Sequence, residues 1–273
     1  MNFRLDASYQ LDANNSIGAN FGFLRNPKQT WNGDMSSSIL QDGDLSESSD
    51  SHADFFWQKN NLSSNIYYVG KIGKLSIDFN TDWLWSKEYQ NDVTKEQYHE
   101  VGMNAQSQTA HSLTNKDYHL LASKLVLSYP LLGGNLSLGG EYSNTHRTSK
   151  YQVVPTNLVS DDDSRITESM TSSFLTYSRD FGNLSLEAGM RYEYIDFNYY
   201  EYGKYVPGQS KSYGNWFPSL SLSMPVGKVQ MQLSYAVDIN RPSYHNLRSG
   251  IQYDNRYTYE TGNPFLVSQI SRN

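Results

Sequence analysis

The sequence predicts an all-β fold: an antiparallel, up-and-down transmembrane β-barrel, with about ten strands present. Three observations carry this. Ten stretches alternate apolar and polar residues at a period of two. The connections between them alternate between short and long. Aromatic residues make up 14% of the chain, with 22 tyrosines among them. Successive side chains of a strand point to opposite faces, so each stretch has one oily and one wet side. Tyr and Trp favour the boundary between lipid and water, where the ring is buried and the polar tip stays wet. Together these features are the sequence signature of a bacterial outer-membrane barrel.

The first strand begins at once, with Phe3, Leu5, Ala7, Tyr9 and Leu11 at alternate positions. Short connections at Asp12–Asn15, Gly70–Lys74, Pro130–Asn135, Asp180–Asn183 and Pro225–Lys228 separate the strands of five hairpins. Their Gly, Asn, Asp and Pro residues supply the φ values that tight reversals need. Similar local patterns follow four of them, beginning Lys74-Leu75-Ser76-Ile77, Asn135-Leu136-Ser137-Leu138, Asn183-Leu184-Ser185-Leu186 and Lys228-Val229-Gln230-Met231. This is a loose hairpin repeat of roughly 45–60 residues. The long connections are expected approximately through Asn26–Asp54, Gln90–Lys116, His146–Thr167 and Tyr199–Tyr213, all rich in polar residues. Short turns at one rim and long loops at the other suit the periplasmic and extracellular ends of such a barrel.

Two strands give the clearest faces. Leu75, Ile77, Phe79, Thr81, Trp83 and Trp85 share one side, and Ser76, Asp78, Asn80, Asp82 and Ser86 the other, with Leu84 the exception. Leu184, Leu186, Ala188, Met190, Tyr192 and Tyr194 likewise oppose Ser185, Glu187, Gly189, Arg191 and Glu193. Strand rise and tilt put Tyr192 and Tyr194 roughly 19–23 Å from their turn, near the far edge of an apolar band about 25 Å tall. Trp83 and Trp85 stand at the same height, and Tyr129 and Phe181 lie beside turns. These six are expected to form the membrane girdle. The competing reading makes them ordinary core aromatics of a sandwich. Charge on the wet face argues against that, because a sandwich core would need a partner for each charge.

Composition excludes several functions. Hydrophobic residues are only 37% of the chain, which suits a barrel with a wet interior. No apolar run approaches the 18 or so residues of a transmembrane helix. A formal net charge of −6 and the lack of a basic stripe argue against a nucleic-acid partner. Without cysteine there is no disulfide framework and no cysteine metal site. Asp42-Gly43-Asp44 resembles a calcium loop but lacks the spacing of one. Asp161-Asp162-Asp163 reads as a solvated charge run. The histidines (His52, His99, His111, His119, His146, His245) show no ligand-pair spacing. Glu187 and Glu193 read as lumen-lining charge rather than an acid/base pair. Neither an enzyme, a metal site nor a cofactor is expected. The chain starts within a strand, without a signal peptide, so residues 1–273 are expected to be one partial barrel domain from a longer polypeptide.

The segment from Ser173 to Tyr194 resembles the mid-barrel of TonB-dependent outer-membrane receptors, of the Bacteroidetes (Gram-negative) outer-membrane β-barrel type, through Leu186-Glu187-Ala188-Gly189-Met190-Arg191-Tyr192-Glu193-Tyr194. Trp216-Phe217-Pro218-Ser219-Leu220-Ser221-Leu222-Ser223 is similar to a later strand of that family. So are Leu233-Ser234-Tyr235 with Ile239-Asn240-Arg241-Pro242-Ser243-Tyr244, and then Thr261-Gly262-Asn263-Pro264-Phe265-Leu266. The chain departs from the family pattern at Asn246-Leu247-Arg248-Ser249 and at Val267-Ser268. The resemblance implies a 22-strand barrel, an N-terminal plug and a TonB box, so this chain is expected to be about ten strands of the larger barrel, with the plug absent.

The function so implied is TonB-dependent uptake of a solute of unknown identity across the outer membrane. The partners implied are outer-membrane lipid, that solute, and the TonB system through the plug. The loop after Arg241 is the expected ligand-facing piece, with Arg241, Tyr244, Tyr253, Tyr257 and Tyr259 as candidates. The alternative is that these tyrosines pack the loop on itself. Two rival functions are a complete small barrel, porin-like or adhesive, which would close its first strand on its tenth, and a soluble glycan-binding sheet. Exposed apolar rows of this size make the last prone to aggregate.

Overall fold

Two-residue turns set the architecture. Gly73, Gly182 and Gly227 open three of them, with φ of +61°, +63° and +64°. A glycine in that position suits a type II′ reversal, whose twist matches the strands it joins. Each turn makes an antiparallel hairpin, so neighbours in sequence become neighbours in the sheet.

The computed structural model describes residues 1–273. Its strands are β1 (Asn2–Asp12), β2 (Asn15–Arg25), β3 (Gln29–Gln41), β4 (Asp44–Ile72), β5 (Leu75–Glu100), β6 (Gln106–Leu131), β7 (Gly134–Val154) and β8 (Asp162–Phe181). They continue with β9 (Leu184–Glu201), β10 (Lys204–Tyr205), β11 (Lys211–Val226), β12 (Val229–Asn240), β13 (Ile251–Asn255), β14 (Thr258–Thr261) and β15 (Gln269–Arg272). One sheet runs β1-β2-β4-β5-β6-β7-β8-β9-β11-β12-β15, with β3 added to β4 and β10 to β9; β13 and β14 form a separate hairpin. The ten expected membrane strands are β1, β2, β4 to β9, β11 and β12. The sheet is open: β1 pairs with β2 alone, and β12 pairs with β11 and the short β15. The closure that a small complete barrel requires is not made, whereas an arc of a larger barrel fits.

Only 24 of the 273 residues are buried, so the sheet has no sandwich core. Its outer face keeps the apolar rows exposed, Leu138, Leu175, Met190 and Leu220 among them. Leu84 faces inward, in register with Leu120 of β6.

The expected long loops are corrected. Most of Asn26–Asp54, Gln90–Lys116 and His146–Thr167 is strand: β7 and β8 run for 21 and 20 residues, and β4, β5 and β6 for 29, 26 and 26. At about 3.3 Å per residue and a tilt near 45°, such strands rise roughly 60 Å, against an apolar band of about 25 Å. The outer ends are therefore a sheet standing in water. Its polar composition is that of loops, although backbone pairing does not depend on side-chain polarity. Asp42-Gly43, with φ of +53° and +95°, caps the β3–β4 hairpin. Asp-Gly suits a turn needing positive φ twice.

The faces exchange character where the strands leave the membrane band. On β9 the outward row turns from Tyr192 and Tyr194 to Asp196 and Asn198. The inward row turns from Arg191 and Glu193 to Ile195, Phe197 and Tyr199, all three buried. β7 does the same, ending inward on buried Tyr151 and Val153. Above the band the outside meets water, while the inside is covered by residues 241–268, a strap connecting β12 to β15. The two apolar clusters lie beneath this strap. One joins Ile166, Ile195, Phe197 and Tyr199 to Leu247, and the other joins Ala110, Tyr151 and Val153 to Tyr253.

Candidate functional site

The strap is held on the inner face by carboxylates that project from the sheet. Arg241 pairs with Glu193, which also accepts from Arg191 at 3.0 Å. Tyr244 donates its hydroxyl to Glu168 at 3.0 Å. Glu96 on β5, only 2% exposed, accepts the Tyr253 hydroxyl and, at 2.9 Å, the Arg256 backbone N–H. The Tyr253 backbone N–H donates to the Tyr151 hydroxyl at 3.0 Å. Arg256 reaches Glu47 at 3.1 Å and lies over the Tyr98 ring at 3.6 Å. Burial, with Glu96 nearby, pushes the Tyr253 hydroxyl well above the usual tyrosine range, so it remains a donor.

Between the strap, the β3–β4 hairpin and the upper parts of β5 and β6 lies a cavity of about 500 Å³. Trp31 and Phe55 form one wall, their ring centroids 4.8 Å apart. Asp92 of β5 and Tyr151 and Tyr253 form others. Asp92 accepts from Gln90 at 2.7 Å through Oδ2, while its buried Oδ1 has no hydrogen-bond partner. Burial pushes the Asp92 carboxyl up to about 6, with Gln90, the Phe56 backbone N–H and Lys116 opposing the rise and Asp254 adding to it. Because the folded value lies above the unfolded one, the fold holds this proton more tightly. The stability gained from that proton is present in acid and is lost as pH rises from about 4 to about 6. Asp92→Asn is expected to raise the thermal stability of the outer sheet at pH 8 and to leave it nearly unchanged at pH 4. Unfolding curves at the two pH values measure the difference; equal effects at both would refute the burial account.

Of the five strap residues expected to face ligand, Tyr253 alone lines this cavity. Arg241 and Tyr244 line a smaller one of about 200 Å³ with Glu168 and Lys211. Tyr257 is half-buried beside Arg256, and Tyr259 is exposed, edge-on to Tyr253 at 5.8 Å. The strap tyrosines thus pack mainly on the sheet. Sequence reasoning does not single out Trp31, Phe55 or Asp92: Trp31 and Asp92 fall in stretches expected to be loops, and Phe55 stands just past the end of one. Their alternation with polar neighbours was the available signal.

The expected girdle residues lie on the outer face. Trp83 and Trp85 are in register with Leu121 and His119. Tyr192 packs against Trp216 at 4.7 Å, and Tyr194 stands next on the same row. Tyr129 and Phe181 are exposed beside their turns.

A sequence model of the outer membrane protein beta-barrel family matches residues 70–273. The chain belongs to this family. As one of its members it resides in the outer membrane, and the apolar outward rows face lipid there. No curated protein sequence matches the chain. Among solved structures, the alcaligin outer-membrane receptor FauA of Bordetella pertussis is similar at 12% identity and a TM-score of 0.38, over 90% of this chain and 44% of that one. The Serratia marcescens hemophore receptor HasR is similar at 12% identity and 0.43, over 98% and 49%. The ferric yersiniabactin uptake receptor FyuA of Yersinia pestis is similar at 10% identity and 0.37, over 98% and 47%. The chain spans about half the length of each.

Proposed function

We propose that this chain forms the wall and outer vestibule of a TonB-dependent receptor, which binds a solute at the cell surface and passes it inward without chemical change. The observation that carries this is the partly enclosed cavity on the inner face, above the membrane band and roofed by the strap. A pore for free diffusion has no use for a cavity of ligand size at its mouth; a receptor does. The four ordered motifs ending at Leu266 support the same reading. Energy would reach the site from the TonB system through a plug domain seated within the barrel. Trp83, Trp85, Tyr129, Phe181, Tyr192 and Tyr194 would anchor the wall at the two lipid surfaces.

Cells lacking the protein and cells lacking TonB are expected to deplete the same solutes more slowly from a defined mixture, read by mass spectrometry of the medium. Depletion that depends on the protein but not on TonB would replace the receptor by a passive channel. Orientation has its own test, made simple by the lack of native cysteine. In intact cells, an impermeant maleimide should label Asp44→Cys at the long rim and spare Asn183→Cys at the short one. The reverse pattern would turn the barrel over and remove the cavity from the cell surface.

A further inference from the structure

The charged groups on the walls of the outer cavity are all of one sign. Asp34, Asp92, Asp254 and Glu260 are the charged residues along it, with the Asp34 carboxylate turned to the outer face, and no Lys, Arg or His lines it. Two of these acids are already compensated. Asp34 lies 2.6 Å from His52, and Glu260 lies 2.8 Å from His245 and 3.2 Å from Arg248. Asp92 and Asp254 have no ion pair. Lys116, the cation nearest in effect to Asp92, is held by Glu88 at 2.8 Å. A buried carboxylate oxygen without a donor is costly, and an incoming N–H group would satisfy it.

The remaining walls specify the rest of the ligand. Trp31 lines the cavity, is 66% exposed and meets Phe55 with its ring tilted by 34°, so indole surface remains to be covered. Tryptophan is the best aromatic partner for a cation, and its face also takes flat apolar groups. The Tyr151 and Tyr253 hydroxyls are committed to the strap and the sheet, leaving their rings as apolar surface. A volume of about 500 Å³ suits a small organic molecule rather than a bare ion.

We infer that the solute recognised here is an organic cation, with a protonated nitrogen directed at Asp92 and Asp254 and a flat apolar body against Trp31 and Phe55. This rests on the cavity being the receptor's solute site, as proposed above. The two carboxylates would also repel anions, so ligands whose net charge is negative are selected against.

The test uses the complete gene product, purified from outer membranes in detergent, and three probes that share a phenol ring and differ in charge. These are tyramine, its neutral N-acetyl derivative and 4-hydroxyphenylacetate, titrated by calorimetry. Tyramine is expected to bind about ten- to a hundred-fold more tightly than the neutral probe, and the anion not measurably. Asp92→Asn with Asp254→Asn should abolish the preference for tyramine, while Trp31→Ala should weaken tyramine and the neutral probe together. Circular dichroism would show that each variant remains folded. Equal binding of tyramine and the neutral probe, lost in Trp31→Ala, would overturn the charge assignment and leave the cavity as the solute site. No binding of any probe by the folded protein would overturn the inference, while the TonB-dependent uptake assay would still decide the receptor reading.

Discussion

Glu96→Ala will release the strap. Trypsin cleavage after Arg256 is expected to accelerate about thirty-fold or more, with the membrane part of the sheet staying folded. The physical basis is one carboxylate serving two donors, the Tyr253 hydroxyl and the Arg256 backbone N–H, in a position that is 2% exposed. Removing it leaves both donors without their acceptor, at a cost of about 2–3 kcal/mol for hydrogen bonds to a charged group. When opening is fast relative to cleavage, proteolysis follows the population of the open form, so this energy converts directly into rate. Mass spectrometry of the fragments locates the cut. An unchanged rate at Arg256 would mean that Arg241, Tyr244 and Leu247 hold the strap without help from β5.

The second large effect separates the two faces of one strand. Met190→Arg puts a charge on the outward row of β9, near the middle of the apolar band. It is expected to cost about 2–4 kcal/mol of stability in lipid. Glu187→Arg, three residues away on the inward face, should cost well under 1 kcal/mol, since that side is polar. Both are measured by denaturant titration of the complete protein folded into vesicles. Similar losses for the two variants would mean that the outward row does not face lipid.

The membrane half of the fold was legible because lipid on one side and water on the other force a strict alternation. Leu184 to Tyr194 show this, and the short turns around Gly73, Gly182 and Gly227 mark where it reverses. The upper half was harder to read. Segments such as Ser46–Asp54 and Gln106–Ser112 place Ser, Asp, His and Gln on both faces, which is also the composition of loops. They remain strands because β4, β5 and β6 continue to pair backbone with backbone. The cavity is hidden in the sequence for the same reason. Trp31 lies in a stretch that reads as loop, Phe55 stands just past its end, and Asp92 meets them only through register. Tyr253 was singled out as an aromatic on a long connection, and it does line the cavity. What its position in the sequence did not reveal is Glu96, 157 residues away, which accepts its hydroxyl.

The exchange of faces between Tyr194 and Ile195 acts as a depth mark written into the chain. Below it, parity decides which residues touch lipid; above it, the same parity decides which are sheltered from water. A single inserted residue below the mark would put Arg191 and Glu193 into hydrocarbon and expose Ile195 and Phe197 together, because a slip of one residue turns every side chain over. Insertions of two residues would keep both rows in phase and shift only the height of the mark. The outer hairpins can therefore lengthen in even steps on each arm, raising the vestibule above the membrane, while the wall beneath keeps its register.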